Sequence, residues 1–264
     1  MELIRAKMSE GESQAGNEAS EWNDLFKKIE AQLPNDFSRD GGSTASIVAK
    51  LGDEKIIVAN TGDSRSIIVA YERTTGKESA SAASNVKLLY QTRQDKADLP
   101  EEKARIQAGP NSGFVLMPQE VMGTMVSSRV QVAVPEMNGF VSLAMSRSFG
   151  DQYAKRVGVI VDPTVGVLRI SELKKSYLDE SGRSGASDAS VQMFAISLSD
   201  GLFDYIDIQE IAETLATSFE TQVDGALYKA CEGLIMQSSR QWMSFSQKIG
   251  QSYRDDISIA VQKI

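Results

Sequence analysis

The sequence of 264 residues contains no histidine. Catalysis by a Ser-His-Asp triad or a Cys-His pair is therefore excluded in its usual form, because imidazole is the base in both. A zinc site built on imidazole is excluded for the same reason. If this chain has chemistry of its own, carboxylates are the side chains that we expect to carry it.

Cysteine and long apolar runs are also scarce. Cys231 is the only cysteine, so the chain cannot form an intrachain disulfide and fits a reducing compartment. No apolar run reaches the length of a membrane span, and the first residues have no secretion signal. We therefore expect a monomer in the cytoplasm, with the nucleus as an alternative, and no membrane partner.

Positive charge is sparse as well. The formal net charge is −8, and the lysine and arginine residues are scattered rather than clustered. Nucleic acids and anionic membrane surfaces attract proteins through clustered basic residues. Neither is therefore expected as a partner.

Amphipathic stretches and short β-like runs are mixed along the chain, without an internal repeat. Residues 1–20 are predicted to be a flexible tail and residues 21–264 a single domain. The spacing of apolar residues predicts helices over 21–33, about 99–107, from 208 onward, and 223–237. Strands are predicted over 43–51, 55–60, 66–71, 86–91, 191–198 and 257–261. Hairpins dominate the first half, so the pattern favours an α+β fold with antiparallel sheets.

Three acidic residues from distant parts of the chain lie where predicted strands end. Asp200 follows the most regular strand, Asp63 lies in a turn between two strands, and Asp255 precedes the last strand. Hard cations such as Mg²⁺ and Mn²⁺ prefer carboxylate oxygens, and a bound cation can activate water without histidine. The neighbouring Gly62 and Gly201 allow tight turns. Because Asp-Gly and Gly-Asp pairs are common in ordinary turns, turn chemistry remains the alternative at this point.

Six short segments occur in one order along the chain. They are GGSTASIVAK (41–50), IIVANTGDSRSII (56–68), EEKARIQAGP (101–110), LAMSRSFGD (143–151), LSDGLFD (198–204) and YRDDISIAV (253–261). This series resembles the PPM, or PP2C-type, protein serine/threonine phosphatases, which are metal-dependent enzymes. The resemblance covers about residues 21–264.

The resemblance implies a β-sandwich of two antiparallel sheets flanked by helices, with Mg²⁺ or Mn²⁺ as cofactor. It implies that Asp200 and Asp255 are ligands of the catalytic metal centre, and that Asp63 is associated with a further, weaker metal site. Asp256 stands where the family usually has asparagine, and Arg147 is interpreted as structural. The implied reaction is the dephosphorylation of phosphoserine or phosphothreonine in a phosphoprotein substrate by a metal-activated water.

The main departure from the family lies before the GGST segment. Family members carry an N-terminal strand pair with a phosphate-binding arginine and a DGHGG motif, whose aspartate bridges two metals. These 264 residues contain no DGHGG motif, and Asp40 is not interpreted as its equivalent, because the family places that motif one helix earlier. Two interpretations follow: a phosphatase domain truncated at its N-terminus, or a pseudophosphatase that binds a phosphoprotein or a kinase without hydrolysis. The retention of Asp200, Gly201 and Asp255 favours the first.

Overall fold

The computed structural model describes most of the chain beyond residue 16. The described residues are 17–35, 41–72, 85–109, 111, 113–121, 124–135, 138–182, 190–221, 223–250 and 252–264. Most of the predicted tail 1–20 lies outside them, as does Asp40.

Most of the helices and strands predicted from the sequence are present with similar bounds. The helices of the described residues are α1 (Glu18–Glu30), α2 (Pro100–Gln107), α3 (Gln152–Lys155), α4 (Ile170–Glu180), α5 (Asp200–Phe203), α6 (Ile208–Glu220) and α7 (Ala226–Ile249). The strands are β1 (Gly42–Ser43), β2 (Ala45–Leu51), β3 (Lys55–Thr61), β4 (Arg65–Glu72), β5 (Lys87–Gln91), β6 (Phe114–Leu116), β7 (Gln119–Val121), β8 (Thr124–Val126), β9 (Arg129–Val134), β10 (Gly139–Leu143), β11 (Phe149–Gly150), β12 (Thr164–Arg169), β13 (Val191–Leu198) and β14 (Ile259–Lys263). Strand β13 has the predicted bounds.

The chain folds into two compact units. The first comprises Met1–Leu51, Ile57–Ser64 and Arg93–Val167. The second comprises Gly52–Ile56, Arg65–Thr92 and Leu168–Ile264. The three candidate acids are divided between them, because Asp63 belongs to the first unit whereas Asp200 and Asp255 belong to the second.

The second unit is built on a four-stranded antiparallel sheet in the order β14-β13-β4-β5. At the centre of β13, Ile196 pairs with Ile67 of β4 on one side and with Val261 of β14 on the other. Strand β13 is buried along nearly its whole length, which explains its continuous apolar pattern. Helices α6 and α7 contribute Leu215 and Leu234 to the same core.

The first unit contains most of two three-stranded sheets, in the orders β10-β9-β6 and β12-β3-β2. Helix α1 packs Trp22 and Phe26 into a core that also holds Ile57 of β3. A separate core joins Ile106 of α2 to Val130 of β9. The regularly spaced apolar residues of α1 therefore pack against a sheet.

Strand pairings of defined register are antiparallel in both units. The predicted α+β class with antiparallel sheets is confirmed. Nowhere in the described ranges is a helix both long enough and apolar enough to cross a bilayer.

Helix α7 differs most from its prediction, which ended it at residue 237. The helix continues to Ile249 and ends at Gly250, whose left-handed backbone (φ 65°) is typical of a helix C-terminus. The polar run after residue 237 weakens the apolar periodicity, but Ser238 is buried there and Trp242 packs inward one turn later. Tertiary contacts therefore stabilise the helix over a stretch that the sequence pattern alone does not predict.

Candidate metal centre

Asp200 lies at the end of the buried strand β13, as the first residue of the short helix α5. Asp255 lies a few residues before β14, which pairs antiparallel with β13. In this register Leu198 is opposite Ile259, so the end of β13 and the start of β14 meet at the same end of the sheet. Asp200 and Asp255, both half-buried, therefore lie on neighbouring segments at that end.

Hydrogen bonds from Ser199 tie these two segments together. Its hydroxyl donates to the Asp256 carbonyl at 2.7 Å and accepts from the Ser258 N–H at 2.9 Å. A Cβ at Gly201 would overlap the Asp256 carbonyl oxygen and lie 3.2 Å from the Asp255 Cβ. Glycine is thus required beside Asp200 because the chain before β14 passes directly against the turn.

Helix α7 holds the same turn from the other side. The Gly201 carbonyl accepts hydrogen bonds from the Ser238 hydroxyl at 2.6 Å and from the Trp242 indole Nε1 at 2.7 Å. Both donors are buried. The sequence pattern did not indicate these two residues, because the predicted helix ended at residue 237. Trp242 lies beyond that point, and its buried indole N–H requires a partner.

The carboxylates at this end of the sheet fit one hard divalent cation. Mg²⁺ is commonly bound through one or two carboxylates while it keeps several waters, and Asp200 and Asp255 offer that donor set. In the part of the chain that the structure describes, no three acidic or cysteine side chains are placed to share a metal.

Asp63 lies in the tight turn between β3 and β4, directly after Gly62, whose φ of 99° favours glycine. Its side chain is 2% exposed, and its Oδ2 lies 2.5 Å from the Lys96 Nζ. The Gln94 side-chain amide donates to the Asp63 carbonyl at 3.0 Å. The Asp63 carboxylate is therefore buried and engaged in an ion pair.

A second buried carboxylate, Asp95, supports this turn. The Gly62 N–H donates to Asp95 Oδ2 at 3.1 Å, and the Asp95 N–H donates to the Gly62 carbonyl at 3.0 Å. Arg93 Nε donates to Asp95 Oδ1 at 3.1 Å, and Arg147 Nε lies 3.8 Å from the same oxygen. Asp95 thus joins the Asp63 turn to the arginines of the first unit.

Glu102 is the most heavily paired carboxylate of this network, and its side chain is fully buried. Arg147 Nη2 lies 2.5 Å from Glu102 Oε1, and Arg147 Nε is 3.1 Å from both oxygens. Arg105 Nη1 lies 2.7 Å and Arg93 Nη2 3.0 Å from Glu102, and the Ser146 hydroxyl donates to it at 2.5 Å. These contacts support the structural interpretation of Arg147.

The two buried carboxylates of the network have pKa values shifted in opposite directions. Burial raises the pKa of Asp95 to about 6, although the positive charge of Arg147 opposes the shift. Burial also raises the pKa of Glu102, but hydrogen bonds from Arg147 and Ser146 outweigh burial and lower it to about 2. Glu102 is therefore charged at neutral pH at little cost, whereas Asp95 is charged there at the expense of stability.

An Asp95→Asn variant is expected to lose a stabilisation that the unmodified chain gains as the pH falls from about 6 to about 4. With a pKa near 4 in the unfolded chain and about 6 in the fold, Asp95 binds more protons when folded between about pH 4 and pH 6. Its contribution to the free energy of unfolding therefore rises as the pH falls through that window, and asparagine removes that rise. Urea denaturation at several pH values measures it. Asp53→Asn, in an exposed hairpin turn, is the control, and an unchanged slope for Asp95→Asn would contradict the assignment.

Comparison with known proteins gives one consistent family. The model of the family described as Protein phosphatase 2C matches residues 10–241. The chain is 28% identical to "Probable protein phosphatase 2C 64" of Oryza sativa subsp. japonica over 246 residues, 90% of this chain and 48% of that protein. It is 31% identical to "Probable protein phosphatase 2C 34" of Arabidopsis thaliana over 221 residues, 84% of this chain and 49% of that protein.

Among solved structures, the fold is similar to that of a serine-threonine phosphatase 2C from Toxoplasma gondii. The TM-score is 0.58 at 19% sequence identity, over 98% of this chain and 74% of that chain. The chain spans about half the length of the curated relatives that it matches. The family match includes Asp63 and Asp200 and ends before Asp255.

Proposed function

This chain belongs to the protein phosphatase 2C family, and from that premise we propose that it is a metal-dependent protein serine/threonine phosphatase. The proposed reaction is the hydrolysis of phosphoserine or phosphothreonine in a phosphoprotein substrate. The observation that carries the proposal is the meeting of the Asp200 and Asp255 segments at one end of the paired strands β13 and β14. Gly201 leaves the space that this meeting requires.

Asp200 and Asp255 would hold one Mg²⁺ or Mn²⁺ ion between the end of β13 and the start of β14. When bound, such an ion neutralises phosphate oxygens and lowers the pKa of a coordinated water. The contribution of the protein is to keep the two carboxylates at a fixed separation. Ser199 does so through its hydrogen bond to the segment before β14. Ser238 and Trp242 do so through hydrogen bonds from helix α7 to the Gly201 carbonyl. Asp63, as ligand of a further ion, remains a prediction.

The partners and the compartment of the protein are also proposals. A single cysteine fits the reducing cytoplasm or nucleus, and scattered basic residues disfavour nucleic acid. We propose a monomer whose macromolecular partner is its phosphoprotein substrate.

A second candidate function is a pseudophosphatase that binds a phosphoprotein or a kinase. Two observations favour it: these 264 residues lack the histidine of the DGHGG motif, and within the described residues no three acidic or cysteine side chains are placed to share a metal. A domain of this kind would retain phosphopeptide binding and show no metal-dependent turnover.

Binding of Mn²⁺ tests the proposed site directly. We expect the 264-residue chain to bind one Mn²⁺ ion weakly, and Asp200→Asn to lose that ion, because an amide lacks the charge of a carboxylate. The EPR signal of free Mn²⁺ measures the bound fraction. Asp204→Asn, an exposed residue of the same segment, is the matched control. Equal binding by the Asp200→Asn variant and the unmodified chain would refute the site.

A further inference from the structure

The Asp63 carboxylate already has a cation in contact with it. Lys96 Nζ lies 2.5 Å from Asp63 Oδ2, although the two residues are 33 positions apart in the sequence. The Lys96 side chain is 21% exposed, so its ammonium group gives up much of its hydration to reach the buried turn. A close, partly desolvated pair of this kind is stronger than an exposed surface pair.

The turn cannot easily present Asp63 in another direction. Gln94 donates to the Asp63 carbonyl, and Asp95 and Gly62 exchange two hydrogen bonds. The Asn60 side-chain amide donates to the Gly62 carbonyl at 3.1 Å. The backbone around the carboxylate is therefore fixed to the segment that carries the lysine.

We propose that the Lys96 ammonium group acts as a built-in cation at Asp63 and competes there with a divalent metal ion. An ion that binds Asp63 must first displace Lys96, and it then lies close to a positive charge that has lost its partner. Both effects weaken binding. The proposal deepens the proposed function, on which it rests, because it makes Asp200 and Asp255 the ligands that determine metal affinity.

Buried oxygen atoms without partners support a site that could accept an ion once the lysine is removed. Asn60 Oδ1 and Thr61 Oγ1, three and two residues before Asp63, are buried and have no hydrogen-bond partner within the described residues. Amide and hydroxyl oxygens are among the ligands that hard cations accept. Among the described residues, Lys96 is thus the cation shown in contact with Asp63, in a turn that follows these two buried oxygen atoms.

The test isolates Asp63 by removing the other proposed ligands. In an Asp200→Asn/Asp255→Asn background, Mn²⁺ binding is measured by EPR with Lys96 intact and with Lys96→Met. We expect Lys96→Met to lower the dissociation constant at least about tenfold, and addition of Asp63→Asn to abolish that gain. Lys96→Arg keeps the charge and is expected to give no gain, as is Lys103→Met, a lysine that contacts Met117 instead.

Should Lys96→Met fail to fold, Lys96→Gln removes the charge while it retains a hydrogen-bond donor, and the gain is expected in the same direction. Unchanged Mn²⁺ binding on removal of the lysine charge would overturn the proposal, as would a gain that survives Asp63→Asn. The proposed function is judged separately, in the chain with Lys96 and Asp63 intact, by the loss of Mn²⁺ on Asp200→Asn. The two ideas can therefore fail independently.

Discussion

Replacement of Arg147 by methionine is expected to lower the free energy of unfolding by about 3–5 kcal/mol. The guanidinium group, 14% exposed, contacts both oxygens of the fully buried Glu102 and donates to the Asp162 carbonyl at 2.8 Å. Methionine fills a similar volume but leaves the Glu102 carboxylate with fewer compensating charges. The cost is large because a buried charge that loses a partner retains the penalty of its desolvation.

Urea denaturation at pH 7, followed by circular dichroism, measures this loss. Arg169→Met is the control, since Arg169 forms an exposed pair with Glu172 at 4.0 Å, and it should change stability by less than about 1 kcal/mol. In a double-mutant cycle, Arg147→Met with Glu102→Gln should cost less than the sum of the single changes. A loss for Arg147→Met no greater than for Arg169→Met would show that the network adds little.

In a chain extended with the DGHGG motif, Asp200→Asn should lower Mn²⁺-dependent turnover at least roughly 100-fold. This is the scale of losing one well-placed electrostatic group in an active site. The 264-residue chain is expected to hydrolyse a phosphothreonine peptide at background, because its sequence has no DGHGG motif and the proposed site has two carboxylates, those of Asp200 and Asp255. When a segment carrying that motif is joined upstream, we expect Mn²⁺-dependent turnover to appear. Asp200→Asn should then abolish it.

Release of inorganic phosphate measures this turnover, with Asp204→Asn as the variant that should retain it. Strong turnover by the unmodified 264-residue chain would mean that another part of the chain supplies the missing ligands. Absence of turnover in the extended chain, with phosphopeptide binding intact, would favour the pseudophosphatase.

The parts of the fold that could be predicted are those determined by neighbouring residues. Strand β13 is a largely apolar run between turn residues, so its bounds follow from the sequence. Helix α6 begins at residue 208, as predicted, and the Asp207 side chain caps it by accepting from the Gln209 N–H at 2.8 Å. The positions of Asp200 and Asp255 at strand ends were predicted on the same basis.

The contacts that the sequence could not predict join residues that are far apart along the chain. Lys96 reaches Asp63 across 33 residues, and Arg147 reaches Glu102 across 45. No local periodicity encodes such pairs, because each charged residue alone resembles ordinary surface polarity. The C-terminal half of α7 was missed for the same reason, since its burial depends on the distant Gly201 turn.

The hydrogen bond between Trp242 and the Gly201 carbonyl also makes the candidate metal centre visible by optical spectroscopy. The chain has two tryptophans: Trp22 is buried in the first unit, and Trp242 donates its indole N–H to the turn that carries Asp200. Indole emission is sensitive to the hydrogen bonding and hydration of the ring. In a Trp22→Phe variant, tryptophan fluorescence would therefore report on the second unit alone. The reporting indole is hydrogen-bonded to Gly201, the residue next to the proposed ligand Asp200. Each unit thus contains its own intrinsic fluorophore.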